Sequence, residues 1–319
     1  MLKKPKCPVI ALEEHYWDKE LAAHAQGVER NPNITSRLFD MGEVRLKEMD
    51  EAGIDVQVLS HGAPSAQRLT GDDAVALVER VNDRLAAFVA TKPDRFAAFA
   101  ALPTCDPAAA ANELERAVNR HGFKGAMIHG LTNNMFLDDK KFWPIFERAQ
   151  SLDVPIYLHP SVPHAAVMEA YYQDYVKDFP MVIRAAWGFT VETATQAIRL
   201  VLSGIFDKYP NLKIVLGHLG ETLPFLLWRI DQSLSRPGGK AMSFRDVFSN
   251  HFYLTTSGNF SNPALLCCVQ ELGVDRIMFA VDWPFVANPL GTNWIDTIPL
   301  CEEDKIKILS GNAQRLLRM

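Results

Sequence analysis

Residues 11–18 read ALEEHYWD, and they close an apolar run, Pro8-Val9-Ile10-Ala11-Leu12, with two glutamates and a histidine. An apolar run of this kind reads as a buried strand, yet it finishes in three groups that bind protons and metals. Either this is an ordinary strand end, or other strands finish the same way and meet it. Three do: "PIYLHP" (155–160) carries His159, "KIVLGH" (213–218) carries His218, and "RIMFAVDW" (276–283) carries Asp282.

Four further apolar runs join "CPVIALE" (7–13) and those three: "DVQVLS" (55–60), "FAAFAAL" (96–102), "GAMIHG" (125–130) and "FYLTTSG" (252–258). Helix-period segments such as "EVRLKEMDEAG", "PAAAANELERAVNRHG" and "TATQAIRLVLSGIFDKYP" separate them. Several of these stop at a glycine just before the next strand, a C-terminal helix signal. Strands that are apolar throughout, rather than alternating, are buried on both faces, which means a parallel sheet under helices. A closed barrel and an open doubly wound sheet both fit strict alternation. Eight strands favour the barrel, as does the lack of GxGxxG or GxxxxGK[ST] after the first strand. The polar strand ends are also spread over many strands instead of meeting at one crevice. The expected fold is therefore α/β, a (β/α)8 TIM barrel with insertions in the βα loops, as one domain over residues 1–319. The longest irregular stretches, 17–38 and 161–189, follow strands one and five, on the side where barrel loops carry function.

Composition narrows the function classes. The formal net charge is -5 and Lys and Arg are scattered, so no nucleic-acid partner is expected. The five cysteines (Cys7, Cys105, Cys267, Cys268, Cys301) lack CxxC spacing, which points away from a disulfide framework or a cysteine-zinc site. The basic N-terminal residues run into a short apolar stretch and then acids, unlike a signal peptide. No window approaches a membrane span. A soluble, cytoplasmic protein is expected.

Glu13 and His15 are two apart, so in an extended strand both face one side. A closed barrel would bring them together with His159, His218 and Asp282 around one axis. Two imidazoles and two carboxylates converging there suit one divalent ion, zinc or manganese, with magnesium possible. Each residue alone has a plainer account: a hydrogen-bonded structural histidine, a helix entry at "GH", an N-cap at Asp282. The constellation, not any single residue, carries the metal reading. In "GHLGE", Glu221 either orients the His218 imidazole or simply favours a helix start, and the residues alone leave the two readings even. His129 is a weaker pocket candidate, and His24, His61, His121, His164 and His251 are expected at the surface or in packing.

The motifs "ALEEH", "YLHP", "LGHLGE", "TTSGNF" and "DWPF", in this order and spacing, resemble the metal-dependent aromatic-acid decarboxylase branch of the amidohydrolase superfamily. The similarity extends over nearly the whole chain, including "RLKEMDEAGID" and "SGIFDKYPNLKIVLGHLGE". It implies metal ligands at Glu13, His15, His159 and Asp282 and a proton-handling pair at His218 and Glu221. It also implies a single metal, because "GAMIHG" offers His129 where many hydrolase relatives carry a bridging lysine. A homo-oligomer is implied as well. The compact loop after strand one and the part of "DWPFVANPLGTNW" that follows the shared "DWPF" depart from the pattern and are expected to line the pocket, so the reaction type is better supported than the identity of the acid.

The expected reaction is non-oxidative decarboxylation of an ortho-hydroxybenzoate-type acid. The metal chelates the acid and Asp282 protonates the ring carbon, which avoids a bare aryl carbanion. Trp17, Trp187, Phe260 and Phe285 are candidates to sandwich the ring, with core packing the competing account of each. Arg229 is a candidate to meet the carboxylate, directly or across a subunit interface, with a structural ion pair as its alternative. One rival is a metal hydrolase of a lactone or carbon–carbon bond using the same ligands. The other is a non-catalytic barrel that only binds a metal or an aromatic acid.

Overall fold

The structure is a computed structural model describing residues 6–24, 31–71, 73–236, 240 and 242–319; part of the expected 17–38 loop, residues 25–30, lies outside the described residues. The described residues form eight strands: β1 (Ile10–Tyr16), β2 (Val56–His61), β3 (Phe96–Ala98), β4 (Ala126–His129), β5 (Ile156–His159), β6 (Ile214–Leu216), β7 (Phe252–Thr255) and β8 (Ile277–Met278). Each pairs in parallel with the next within two runs, β1 to β3 and β4 to β8. Single bridges join the runs at both seams, Ala100 to Ala126 and Glu14 to Trp283. The amide of Met127 donates to Ala100 O at 3.1 Å across the first seam, and that of Leu12 to Phe279 O at 3.2 Å across the second. The strand order therefore returns to its start, as a TIM barrel requires.

Ile10, Leu12, Val58, Ala97, Phe99, Met127, Tyr157, Val215, Met278 and Ala280 pack together as the barrel interior. Ala313, Leu316 and Leu317 of the C-terminal helix join this cluster, and Asn312 donates to Ile277 O at 2.7 Å. The helix thus plugs the end where β8 begins. The opposite strand faces, with Ala11, Leu59, Ile128, Leu158 and Leu216, pack under helices such as Pro107–His121 and Gly188–Ser203.

Two local departures from regularity position the site. In β1 the pairing with β2 shifts between Ala11 and Glu14, a bulge. Side chains alternate along a strand, so with Ile10 and Leu12 inside, an unbroken β1 would turn Glu13 and His15 outward. The extra residue resets the alternation. At the other seam the expected strand 276–283 is regular only at Ile277–Met278. Residues 279–283 lie beyond the regular strand, and Asp282 has a left-handed backbone, φ 76°. The segment still bonds on both sides, Gly258 N–H to Val281 O at 3.2 Å and Asp282 N–H to Glu13 O at 3.0 Å. The long loop after β5 folds into short helices at 165–176 and 180–183 before helix Gly188–Ser203.

Candidate active site

Glu13, His15, His159 and Asp282 meet at the C-terminal ends of the strands, each offering a ligand atom within 4.8 Å of the others. His159 Nε2 lies 3.1 Å from Glu13 Oε1, and His15 Nε2 lies 3.3 Å from Asp282 Oδ1. Three of the converging atoms, Glu13 Oε1, His15 Nε2 and Asp282 Oδ1, are buried with no well-formed hydrogen bond. Buried polar atoms are seldom left that way unless something else engages them. The other imidazole nitrogens are engaged: His15 Nδ1 is 3.2 Å from Ser60 Oγ, and His159 Nδ1 is 2.7 Å from Pro160 O. Both Nε2 lone pairs are thereby left facing the common point.

The electrostatics suit a cation. Burial holds the His15 imidazolium down, so that ring is neutral. Burial works to raise the Glu13 carboxyl, but the charge of His218 and the adjacent His159 ring outweigh it and leave it well below the usual range. Asp282 is lowered in the same way: burial opposes its charge, and contacts from His15 and His218 favour it. Neutral imidazole and two carboxylates are the protonation states in which these side chains bind divalent metal. The donor set fits one such ion.

Two residues that read as core in the sequence complete the Glu13 side. The buried Tyr157 hydroxyl donates to Glu13 Oε2 and shares a hydrogen with Thr255 Oγ1 at 2.6 Å. A Cβ on Gly217 would sit 2.5 Å from Glu13 Oε2 and 3.3 Å from the Tyr157 hydroxyl, so any side chain there would displace the carboxylate.

His218 follows on a turn in which His218, Leu219, Gly220, Glu221 and Thr222 all have positive φ, from 52° to 80°. Four of these are not glycine, and left-handed backbone costs each about 1–2 kcal/mol. The turn brings Glu221 Oε1 to 2.7 Å from His218 Nδ1. The helix that follows begins only at Leu223, so Glu221 orients the imidazole and does not serve a helix end. Asn259 Nδ2 donates to His218 O at 3.2 Å, and Leu219 N–H donates to Thr255 O at 2.8 Å. Burial disfavours the His218 imidazolium, but Glu221, Glu13 and Asp282 outweigh that and raise its pKa well above the ordinary value. His218 Nε2 stands 3.7 Å from Glu13 Oε1 and 3.9 Å from Asp282 Oδ2.

The remaining candidates separate. Phe285 lies edge-on to His15, with ring centroids 5.8 Å apart. Buried Trp17 packs on Phe39 at 5.7 Å, beside Gly62. His129 is buried with Nδ1 2.9 Å from His159 Nδ1, which places it against a candidate ligand. Phe260 packs on Trp294 at 5.5 Å, Trp187 is half exposed, and Arg229 is exposed on helix Leu223–Leu234. Among the described residues, no hydrogen bond, ion pair or ring contact ties Trp187, Phe260 or Arg229 to the four-residue group.

A model of the amidohydrolase family matches residues 15–319. The chain belongs to the amidohydrolase family. It is 41% identical to the γ-resorcylate decarboxylase of a Polaromonas species, over 97% of this chain and 98% of that protein. A crystal structure of a Polaromonas dihydroxybenzoic acid decarboxylase with bound manganese and the inhibitor 2-nitroresorcinol superposes with TM-score 0.90 at 41% identity. That match covers 98% of this chain and 97% of that one. A 2,6-dihydroxybenzoate decarboxylase in complex with 2,6-dihydroxybenzoate also gives TM-score 0.90, at 37% identity over 98% and 100% of the two chains. The four-residue group able to bind one metal ion lies at the mouth of the barrel, where this fold places chemistry.

Proposed function

We propose that the chain is a metal-dependent carboxy-lyase, its 319 residues one barrel unit, that decarboxylates an ortho-hydroxybenzoate. 2,6-Dihydroxybenzoate, which one of the similar structures holds, is the first acid to test. The observation that carries this is the buried group of Glu13, His15, His159 and Asp282, with unpaired ligand atoms aimed at one point. These four residues are the ligands for one divalent ion: manganese, as in the Polaromonas structure, or zinc or magnesium on the same donors. When bound, such an ion supplies Lewis-acid charge that draws in an anionic, ortho-oxygenated acid and offsets the negative charge on its oxygens.

The chain's own groups supply the proton. His218, kept charged by Glu221, is the reservoir, and Asp282 Oδ2 at 3.9 Å is the group it loads. Asp282 delivers the proton to the ring carbon bearing the carboxylate, forming a C–H bond. The C–C bond to the carboxylate then breaks, CO2 leaves, and its electron pair restores the aromatic ring. No oxidant or water is consumed. Phe285, against His15, and Trp17 beside Gly62 are the aromatic surfaces nearest the reacting ring. Trp187, Phe260 and Arg229 are substrate contacts in this reading only if a second subunit or loop movement brings them in. Phe225 and Trp228 are 80% and 65% exposed on the helix that carries Arg229, which supports a homo-oligomer built on that surface. The net charge of -5, with Lys and Arg scattered, weighs against a nucleic-acid partner. No helix among the described residues is long and apolar enough to cross a membrane.

A turnover screen of ortho-hydroxybenzoates with metal content measured alongside tests the reading. CO2 release that scales with one metal per chain supports it. Metal-loaded protein that releases none from the whole panel refutes it.

A further inference from the structure

Glu14 lies between Glu13 and His15 in sequence, but the β1 bulge turns it to the opposite side of the strand, where it is fully buried. Its Oε1 accepts the N–H of Val281 at 2.9 Å. Its Oε2 accepts the N–H of Trp283 at 3.2 Å and the Gln57 side-chain amide, also at 3.2 Å. Val281 and Trp283 flank Asp282, the residue with left-handed backbone. In return, Asp282 N–H donates to Glu13 O at 3.0 Å and His15 N–H to Trp283 O at 2.7 Å. Residues 13–15 are thus bonded to residues 281–283 at every position, although the regular part of β8 has already ended.

We propose that Glu14 is the positioning residue of the metal centre: its carboxylate clamps the backbone on both sides of Asp282 and so fixes that ligand against Glu13 and His15. A carboxylate is suited to this because both its oxygens accept, whereas a glutamine would set a donor against one of the N–H groups. Gln57 and Arg45 hold the clamp from behind. Gln57 Oε1 accepts from Arg45 Nη1 at 3.0 Å, and Arg45 Nη2 donates to His15 O at 2.6 Å. The Arg45 guanidinium stacks 4.0 Å over the Trp283 ring, and the Trp283 indole N–H donates to Glu48 at 2.7 Å. The competing account is that Glu14 is only the buried counter-charge of Arg45, with no bearing on ligand geometry.

The inference rests on the metal role proposed for the four-residue group, so its test reads manganese affinity, by chelator competition on metal-free protein, and not turnover. Glu14→Gln should weaken manganese binding about 10- to 100-fold, the range found when outer partners of metal ligands are removed. The double variant E14Q/Q57E returns a negative charge beside Arg45, but still leaves the Trp283 N–H without an acceptor. It should regain thermal stability toward wild type while its manganese affinity stays at least about tenfold weak. It decides the matter even where E14Q does not fold. Wild-type manganese affinity in E14Q, or its full recovery in the double variant, would overturn the clamp in favour of simple charge balance. Failure of the decarboxylase reading shows separately, as a wild-type chain that binds manganese but releases no CO2.

Discussion

Glu13, His15 and Asp282 reach the barrel mouth on backbone bonded to its neighbours at nearly every residue, whereas His218 arrives on a turn of five left-handed residues held by a few contacts. The first wall is over-determined: a bulge sets its facing, a ladder continues past the strand end, and a buried carboxylate grips it from behind. The second stores strain in its backbone, and its holding bonds are local: Glu221, Asn259, the Leu219 amide, Gly220 N–H to Gly217 O at 2.8 Å and Cys268 Sγ to Leu219 O at 3.3 Å. The difference follows from what each wall must do. Ligands to one ion need fixed mutual distances, while a proton carrier needs its tautomer and direction set by a local partner. Backbone strain of this kind persists where the surroundings enforce a geometry that function uses.

The largest effect should come from the rigid wall and its facing ligand. His159→Ala should lose manganese and turnover together, read by elemental analysis and CO2 release. His218→Asn, on the strained wall, should keep its manganese and lose turnover about 10²- to 10⁴-fold, the usual weight of a proton-transfer group. Manganese lost from H218N but kept in H159A would reverse the assignment of the two walls. Glu221→Gln keeps a side chain beside His218 but removes the charge that favours its imidazolium. Turnover should fall by about 10- to 100-fold with metal content unchanged.

A smaller effect isolates the strain. Thr222 is exposed, has φ 67° and makes no side-chain cap bond to the helix that follows. Thr222→Gly should therefore raise stability, by no more than about 1 kcal/mol after the extra freedom of the unfolded chain is counted. Denaturant unfolding would show it, and a loss of stability would mean that the turn is not strained. The smallest effect is at the loop leaving β1. Burial works against the charge of Asp18, but Arg84 and the Leu21 and Glu20 amides outweigh it, and the carboxyl lies below its ordinary value. A depressed carboxyl contributes stability that is present above its unfolded-state pKa and lost as pH falls through its folded one. Acidification should thus loosen the Glu20 and Leu21 amides, seen as faster hydrogen exchange there, and Asp18→Asn should flatten that dependence.

Much of this was legible in the sequence, and the parts that were not have physical reasons. The eight strands and the four clustered residues stood out because each of the four sits at the end of an apolar run. The bulge did not: Leu12 and Glu13 both point inward, which a simple alternation cannot produce. Tyr157 and Thr255 read as ordinary strand residues because their polar atoms matter only once Glu13 is beside them. Arg45 reads as the polar face of an amphipathic helix, yet it is fully buried against Trp283 and the His15 carbonyl. Glu14 looked like a third group for the site and proved to face away from it. The left-handed turn carries one glycine among its five residues, so nothing in the sequence marked it.

The central claim, that a proton from this site replaces CO2 on an aromatic ring, is tested most directly by running the reaction in D2O. With an accepted ortho-hydroxybenzoate, the product should carry one deuterium at the carbon that lost its carboxylate, with one CO2 released for each acid consumed. Oxygen from labelled water in the organic product, with no CO2 released, would contradict the account and make the same metal group that of a hydrolase.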